Sequence, residues 1–152
     1  MKLSTKGRYG LRALIDLAVY CGEEAVPISS VAARQGISES YLEQLFAKLR
    51  KAGLIISERG AQGGYRLAKP AEEISVGDIL RALEGNLDAV ECPGLKEEAG
   101  CENADFCVTK YVWQRINESI TEAVDEIRLD QLVRESREAQ DKSGYTAVKC
   151  EN

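Results

Sequence analysis

The sequence predicts a mainly α-helical protein with one small β-hairpin, and three observations lead to this prediction. Apolar residues recur at helical spacing in several segments, and a glycine-rich turn separates two short runs of strand-forming residues. An apolar stripe in the second half continues for about six helical turns. With 152 residues, of which 44% are hydrophobic, the chain can form one domain, or one small domain with an appendage.

Three amphipathic helices are predicted in the first part of the chain. The first ends at Cys21, the second covers ISSVAARQG and ends at Gly36, and the third covers ISESYLEQLFAKLRKAG and ends at Gly53. In the third helix, Ser40 and Glu43 have the spacing of a capping box. A short helix, a glycine turn and a longer helix form a helix-turn-helix pattern, which also occurs in all-α proteins that do not bind DNA.

A β-hairpin is predicted directly after the third helix. The segment LIISERGAQGGYRLAKP contains a strand at 54–57, a turn at 60–64 and a second strand at 65–67, with Arg59 and Arg66 flanking the turn. In this position a hairpin forms the wing of a winged helix-turn-helix domain, with cations where a minor groove would lie. The alternative is an ordinary surface hairpin, but its place beside the third helix favours the wing.

The second half is predicted to contain a short helix, a loop and a long helix. Ser75 and Asp78 form a capping-box pattern, and residues 86–106 have no periodicity and are rich in glycine, acids and cysteine. From 108 to 128 an apolar stripe predicts a helix too long for this small domain to cover. We therefore expect a homodimer in which the long helices pair, the alternative being that the stripe packs only against the first helix.

These elements divide the chain into three predicted regions. Residues 1–70 form a winged helix-turn-helix DNA-binding domain, residues 71–133 contain the short helix, the cysteine-rich loop and the long dimerisation helix, and residues 134–152 form a flexible tail. The charge follows this division: residues 1–69 carry 11 basic and 6 acidic side chains, and residues 70–152 carry 9 and 19. The net charge of -5 is therefore a +5 half joined to a -10 half, and the basic half is expected to meet an anionic surface.

The composition excludes several classes of protein. No apolar run approaches the roughly 18 residues that span a bilayer, so a soluble cytoplasmic protein with no membrane partner is expected. The chain has no His, which removes His-based triads and zinc-protease motifs, and no other catalytic constellation indicates an enzyme. In a reducing compartment, its five Cys are expected to be thiols or metal ligands rather than a disulfide framework.

Three cysteines are candidate metal ligands. Cys92, Cys101 and Cys107 lie in one loop with eight and five intervening residues, an arrangement that suits a soft metal or an iron-sulfur cluster. Zinc would usually require a fourth Cys or a His. Thiol-disulfide exchange and unrelated surface thiols are the alternatives. Cys150, in the predicted tail, is expected to be an incidental thiol.

The predicted DNA-binding residues lie on the third helix and on the wing. A winged helix places its recognition helix in the major groove with the N-terminal residues facing base edges. Gln can pair with adenine, Glu can accept from the cytosine amino group, and Lys neutralises phosphates. Each has a structural alternative, since Ser40 and Glu43 could cap each other and Tyr41 could pack inward. The candidates are Ser38, Ser40, Tyr41, Glu43, Gln44 and Lys48, with Arg59, Gly60 and Gly63 on the wing.

These motifs resemble the IscR family of iron-sulfur cluster regulators, which are bacterial winged-helix repressors and activators. The resemblance covers roughly residues 2–133 and includes LSTKGRYGLRALIDLA, QGISESYLEQLFAKLRKAGLI, RGAQGGYRLAK, ISVGDIL and CVTK. It implies a homodimer with paired long helices, an operator in double-stranded DNA, and a 2Fe-2S cluster in the three-Cys loop. The residues that match DNA-contacting positions of the family are Ser38, Ser40, Tyr41, Glu43, Gln44 and Arg59, and Arg59 would enter the minor groove.

One position departs from the family pattern, which ends Cys-x-x-His where this chain has Lys110. Lysine is a poor iron ligand because its ammonium group must first lose a proton. The fourth ligand is therefore open, with candidates in Glu91, Glu102, Asp105, Cys21, the partner chain or an exogenous thiol. The resemblance also implies that the acid at Glu43 lets cluster loading change which class of operator is accepted.

The function predicted in this way is a regulator that senses iron-sulfur cluster status and controls promoters such as those of cluster-assembly genes. Cluster-assembly proteins are then the candidate cluster donors. Two alternatives stay open. One is a winged-helix regulator that senses thiol redox state or zinc without a cluster, and the other is a small electron-transfer protein that is indifferent to DNA.

Overall fold

The computed structural model describes residues 2–96 and 100–144, which contain six α-helices and one two-stranded antiparallel sheet. The predicted mainly α-helical fold with a small β wing is confirmed, and α2, α3 and the hairpin form the winged helix-turn-helix. Two 3-10 turns lie at Ala71–Glu73 and Pro93–Leu95. The helices are α1 (Thr5–Tyr20), α2 (Ile28–Gln35), α3 (Glu39–Lys51), α4 (Val76–Glu84), α5 (Thr109–Glu126) and α6 (Leu129–Ser143), and the strands are β1 (Ile55–Glu58) and β2 (Gly64–Leu67).

Helix α1 lies at the centre of the core and contacts α2, α3, α4 and α6. Residues from both sides of Pro70 are buried together around it, so the change of charge at Pro70 is not a boundary between two cores. The buried side chains include Leu14 and Leu17 of α1, Phe46 of α3, Ile79 and Leu83 of α4, and Leu129 and Val133 of α6.

Helix α3 is capped two residues earlier than the sequence pattern predicts. Gly36 ends α2 with a φ of +64°, and Ser38 then caps α3, its hydroxyl accepting a hydrogen bond from the Tyr41 amide at 3.3 Å. Ser38 is in the extended conformation that lets a side-chain oxygen reach the first turn, whereas Ser40 is already helical. The predicted capping pair of Ser40 with Glu43 is therefore wrong.

Helices α1 and α4 approach closely because two residues of α1 lack side chains. A Cβ atom at Gly10 would clash with both methyl groups of Leu83, and one at Gly7 would lie 2.6 Å from Glu84 Oε1. The Glu84 carboxylate instead accepts hydrogen bonds from the amides of Ser4 (2.8 Å) and Gly7 (3.0 Å) and from the Ser4 hydroxyl (2.6 Å). A residue at the end of α4 thus satisfies the unpaired donors at the start of α1.

The same contacts change the acidity of Glu84. Partial burial raises the pKa of its carboxyl group. The hydrogen bonds from the Ser4 hydroxyl and from the Gly7 and Ser4 amides, together with the nearby Lys6 charge, lower this pKa by more than burial raises it. The net pKa lies below the ordinary value of Glu. The carboxylate is therefore ionised at neutral pH, and its negative charge interacts favourably with the positive, N-terminal end of the α1 dipole.

Helix α6 extends into the region that the sequence predicts as a flexible tail. It continues to Ser143, so the predicted flexible tail from residue 134 is wrong for residues 134–143. Its first turns bury Leu129 and Val133, and the Arg137 guanidinium donates to the Val19 carbonyl of α1 at 3.2 Å. The rest of the predicted tail, residues 145–152 with Cys150, lies outside the described residues.

Helix α5 packs mainly on α4. Ile120 and Val124 contact a second, smaller buried cluster that contains Leu80, and Arg81 of α4 binds Asp125 of α5 at 2.7 Å. This position differs from the alternative in which the long helix packs only against the first helix. In the described ranges, neither α5 nor any other helix has an apolar stretch long enough to cross a membrane.

Substituting Gly10 with Ala should test the close contact of α1 with α4. The added methyl group meets the buried Leu83 side chain, so we expect the free energy of unfolding to fall by about 1–3 kcal/mol. Chemical unfolding followed by circular dichroism measures the loss. Gly22→Ala is the matched control, because no atom lies within 4 Å of its added Cβ. Equal stability of the two variants would contradict the tight α1–α4 contact.

Candidate nucleic-acid interface and cysteine loop

Helix α3 has one buried and one exposed face. Leu42, Leu45, Phe46 and Leu49 are packed into the core. The predicted DNA-contacting residues Ser38, Ser40, Glu43, Gln44 and Lys48 are all exposed, as are Glu39, Ala47, Arg50 and Lys51. Ser40 lies three residues before Glu43 and four before Gln44, and Lys48 lies four after Gln44, so these predicted DNA-contacting side chains lie along one side of the helix.

Glu43 has no structural role in the described part of the chain. Its carboxylate is exposed and makes no hydrogen bond or ion pair with another described residue. Because Ser38 caps the helix, Glu43 is not held in a capping box. On a surface that faces DNA, such an exposed acid would penalise sequences that offer no hydrogen-bond donor.

Tyr41 differs from the other candidates on α3 because it turns toward α1. Its side chain is half-buried, its hydroxyl donates to the Thr5 hydroxyl at 3.3 Å, and its ring meets Tyr9 edge to face with centroids 6.3 Å apart. The structural alternative for this residue therefore has direct support. Tyr41 joins the recognition helix to the N-terminal turn of α1, beside the position that Glu84 caps.

The wing depends on two glycines at its tip. Gly60 has a φ of +110°, and the amide of Gly63 donates to the Gly60 carbonyl at 3.0 Å. A Cβ atom at Gly63 would lie 2.5 Å from the carbonyl oxygen of Glu58, which leaves no room for a side chain. These two candidates therefore shape the backbone of the tip and bring it close to any surface that it meets.

The two arginines beside the tip have different surroundings. Arg66 forms an ion pair with Glu58 across the hairpin, which neutralises its charge. Arg59 is exposed and forms no ion pair within residues 2–96 and 100–144. Arg59 is therefore the cation at the wing that is available to a phosphate or to a minor groove.

The wing is anchored to the core by a contact that the sequence pattern does not reveal. The backbone of Val26 exchanges two hydrogen bonds of 2.8 Å with Tyr65, and the Tyr65 ring packs edge to face on Phe46 of α3 with centroids 4.9 Å apart. The position of the wing relative to α3 is thus fixed. No strand was predicted at Val26, so this pairing was not anticipated.

Two of the three loop cysteines lie close to the same glycine. Cys92 is the extended residue before the turn Pro93–Leu95 and is half-buried, whereas Cys101 is exposed. A Cβ atom built at Gly94 would lie 3.6 Å from Cys92 Sγ and 3.8 Å from Cys101 Cβ. The loop therefore brings Cys92 and Cys101 close to the same point beside Gly94.

The third loop cysteine lies at the start of α5. The sulfur of Cys107 and the hydroxyl oxygen of Thr109 are hydrogen-bonded at 3.1 Å. This bond, followed by the bond from the Lys110 amide and assisted by the Lys110 charge, lowers the pKa of the Cys107 thiol. Since the thiolate is the form that binds metals, this environment favours ligation, and Lys110 contributes a positive charge rather than a donor atom.

The cysteines are not assembled into a metal site among the described residues. There, no three Cys, Asp or Glu side chains converge on one point, and the Lys110 ammonium lies 5.2 Å from the centroid of the Tyr111 ring. Cys21, a predicted candidate for the fourth ligand, packs half-buried against the core at the end of α1. Three soft donors are present in the loop, but they lie on separate parts of its backbone.

Helix α5 carries an exposed apolar stripe in addition to its contact with α4. No residue of α5 is fully buried, and Tyr111 is 60% exposed, Val112 51% and Ile116 39%. Phe106 and Val108, just before the helix, are exposed to 87% and 75%. Such a contiguous apolar surface is typical of a protein interface.

Comparison with known proteins agrees with this architecture. A family model described as "Rrf2: Iron-dependent Transcriptional regulator" matches residues 3–135. The chain belongs to the Rrf2 family. It is 45% identical over 133 residues to the HTH-type transcriptional regulator IscR of Pectobacterium carotovorum, and the match covers 88% of this chain and 79% of that protein.

Two solved structures of Rrf2-like regulators are similar over most of their length. IscR of T. potens is 48% identical, with a TM-score of 0.73 over 92% of this chain and 91% of that one. CymR of B. subtilis, described as the global cysteine regulator, is 42% identical, with a TM-score of 0.72 over 88% and 97%. The resemblance to IscR regulators that the sequence predicted is confirmed, and this Rrf2 protein is a DNA-binding transcription regulator and not an enzyme.

The wing arginines allow a direct test of the interface in this Rrf2 chain. Arg59→Ala should lower affinity for a duplex operator, selected in vitro from random sequences, by about tenfold and reduce the salt dependence by about one ion. Fluorescence anisotropy at several salt concentrations measures both effects. The control is the double variant Glu58→Gln with Arg66→Gln, which removes an internal ion pair without changing the net charge. A larger loss in the double variant than in Arg59→Ala would contradict the assignment.

Proposed function

We propose that this chain is a homodimeric transcription regulator that senses iron-sulfur cluster status through a 2Fe-2S cluster bound by Cys92, Cys101 and Cys107. One observation carries this proposal: three thiols lie in the loop between α4 and α5, two beside Gly94 and one in surroundings that favour the thiolate. The description of the family as iron-dependent supports the same function.

The donor set fits an iron-sulfur cluster in its chemistry. Cysteine thiolates are the usual cluster ligands, and a loop can close to bring separate thiols together. When bound, the cluster supplies a centre that responds to oxidation and to the supply of iron and sulfur. The surroundings of Cys107 lower the pKa of its thiol, and Cys92 and Cys101 both lie beside Gly94. The fourth ligand comes from Glu91, Glu102, Asp105, Cys21, the partner chain or an exogenous thiol.

In the proposed DNA complex, α3 lies in the major groove and the wing contacts the minor groove. Gln44 is placed to pair with an adenine edge, Glu43 to accept from a cytosine amino group, and Lys48 to contact a phosphate. Ser38, Ser40 and Tyr41 lie on the N-terminal part of this surface, and Arg59, Gly60 and Gly63 form the wing contact. The exposure of Glu43 supports its role in operator choice.

A chain of contacts joins the cysteine loop to the recognition helix. The loop leads into α5, where Asp125 binds Arg81 of α4 at 2.7 Å. One turn further along α4, Glu84 caps α1 at Ser4. Tyr41 of α3 is bonded to the same turn of α1. A change in the position of α5 when the cluster binds would therefore move the recognition helix of each chain.

The regulated promoters would include those of cluster-assembly genes. The products of these genes are the candidate cluster donors.

The exposed stripe on α5 is the proposed dimer interface. Two copies of the stripe can cover each other around a twofold axis, and the two recognition helices would then meet half-sites roughly 34 Å apart or a multiple of it. The continuity of Val108, Val112 and Ile116 along one side of the helix supports pairing with an identical helix.

The dimer is tested by placing a charge in the stripe. Ile116→Lys should convert the protein to a monomer in analytical ultracentrifugation, because a buried unpaired ammonium group is costly, and it should weaken operator binding. Glu118→Lys is the matched control, since this exposed residue lies on the opposite side of α5 from Ile116 and should leave the dimer intact. A dimeric Ile116→Lys protein would exclude the stripe as the interface.

The cluster is tested by anaerobic reconstitution with iron and sulfide. The wild-type protein should show visible charge-transfer absorption, and Ser substitution of Cys92, Cys101 or Cys107 should abolish it because each removes a ligand. Cys150→Ser is the control and should retain the spectrum. Operator binding measured with and without the cluster then tests the coupling. A colourless wild-type protein that takes up zinc instead would refute the proposed cluster.

A second candidate function is the sensing of thiol redox state or zinc by the same loop. The position of Cys92 and Cys101 beside one glycine supports it, and so does the similarity to CymR, which is described as a cysteine regulator. In this case the metal-free protein should change its operator affinity on mild thiol oxidation and recover on reduction. If the chain is instead a cluster regulator, binding of the cluster should change the operator affinity more than thiol oxidation does.

A further inference from the structure

Asn117, in the middle of α5, binds the backbone of the segment that leads to Cys92. Its side-chain oxygen accepts hydrogen bonds from the amides of Ala89 at 2.9 Å and Val90 at 3.5 Å. Its side-chain nitrogen donates to the carbonyl of Val90 at 3.2 Å. One side chain thus contacts three backbone groups on a segment more than 25 residues away in sequence.

The residue type is explained by these contacts and not by the helix. Asn is a poor residue for a helix interior, because its short side chain competes for backbone hydrogen bonds. Its neighbours Ile116 and Glu118 are exposed, whereas Asn117 is partly buried against the segment. A side-chain amide accepts through its oxygen and donates through its nitrogen, so it can contact backbone N–H and C=O groups with separate atoms; an ionised carboxylate cannot donate, and a hydroxyl group must use one oxygen for both.

The bound segment ends at a proposed ligand. Val90 is two residues before Cys92, and beyond it the Cys92 carbonyl accepts a hydrogen bond from the Leu95 amide at 3.1 Å. Cys92 therefore lies between two fixed points of the backbone. Asn117 lies within α5, and Cys107 lies two residues before the first residue of that helix, so the segment before Cys92 is bound to the same helix that Cys107 precedes.

We propose that Asn117 is a positioning residue that fixes Cys92 relative to Cys107 by tying residues 89–90 to α5. The inference rests on the proposed function, in which both thiols bind the same cluster, but the tie itself can be measured without any metal. Without Asn117, the segment before Cys92 would leave α5, and the two thiols would lose their fixed separation.

The test compares the reactivity of individual thiols in the reduced, metal-free protein. In Asn117→Ala, the alkylation rate of Cys92, followed by peptide mass spectrometry with iodoacetamide, should rise by about tenfold, because opening of the segment no longer breaks these hydrogen bonds. The rates of Cys101 and Cys107 should stay within about twofold and serve as internal references. Gln114→Ala is the matched control, since Gln114 binds Glu118 on its own helix at 2.8 Å.

A second variant protects the test against misfolding. Asn117→Asp keeps the acceptor for the Ala89 and Val90 amides and loses the donor to the Val90 carbonyl, so it should give an intermediate Cys92 rate with an unchanged circular dichroism spectrum. A Cys92 rate equal to that of Gln114→Ala in both variants would overturn the proposal. An equal rise at all three thiols would also overturn it, since this indicates general loosening.

The reconstituted protein provides the second readout. If the wild-type chain binds a cluster, its visible absorption should decay several-fold faster in air for Asn117→Ala than for Gln114→Ala, and an equal decay would contradict the role of Asn117 in ligand placement. If the wild-type chain binds no cluster, the proposed function fails. The thiol rates would still decide whether Asn117 holds Cys92.

Discussion

The close approach of α1 and α4 is the constraint on which the two halves of the molecule depend. Helix α4 is the element that contacts both the DNA-binding head and the long helix α5, so its distance from α1 sets the distance between these parts. Gly7 and Gly10 permit the short distance between the two helices. Glu84, at the C-terminal end of α4, caps the N-terminal end of α1. A packed interior transmits such positions because it has almost no free volume to absorb a shift.

Much of the fold could be predicted because it depends on patterns among residues that are close in sequence. The apolar period of α1, α3 and α5 and the capping box of Ser75 with Asp78 required only neighbours in sequence, and all four are present. Most of helix α6 was predicted as part of a flexible tail because it buries few residues. Its Arg137 binds the Val19 carbonyl of α1, which lies more than a hundred residues away in sequence. The cap of α3 was assigned to the wrong serine because the turn after Gly36 decides which residue is extended.

The site was predictable in its residue types but not in its pairings. The sequence identified the three loop thiols and the wing arginines from composition and position. It could not show that Arg66 is neutralised by Glu58, that Tyr41 is bonded to Thr5, or that Lys110 lies beside the Cys107 thiol. These distinctions depend on side chains that meet only after folding, and they separate Arg59, which has no ion pair among the described residues, from Arg66, which has one.

If two chains pair through the exposed stripe of α5, occupancy of the operator depends on how much of the protein the cell contains. In the proposed dimer, two chains must meet before a full operator can be occupied, so below the dissociation constant the concentration of the binding species rises with the square of the chain concentration. A twofold change in synthesis would then alter promoter occupancy about fourfold in the dilute range. In such a dimer, the apolar face of one helix would make the regulatory response steeper than a monomeric regulator could provide.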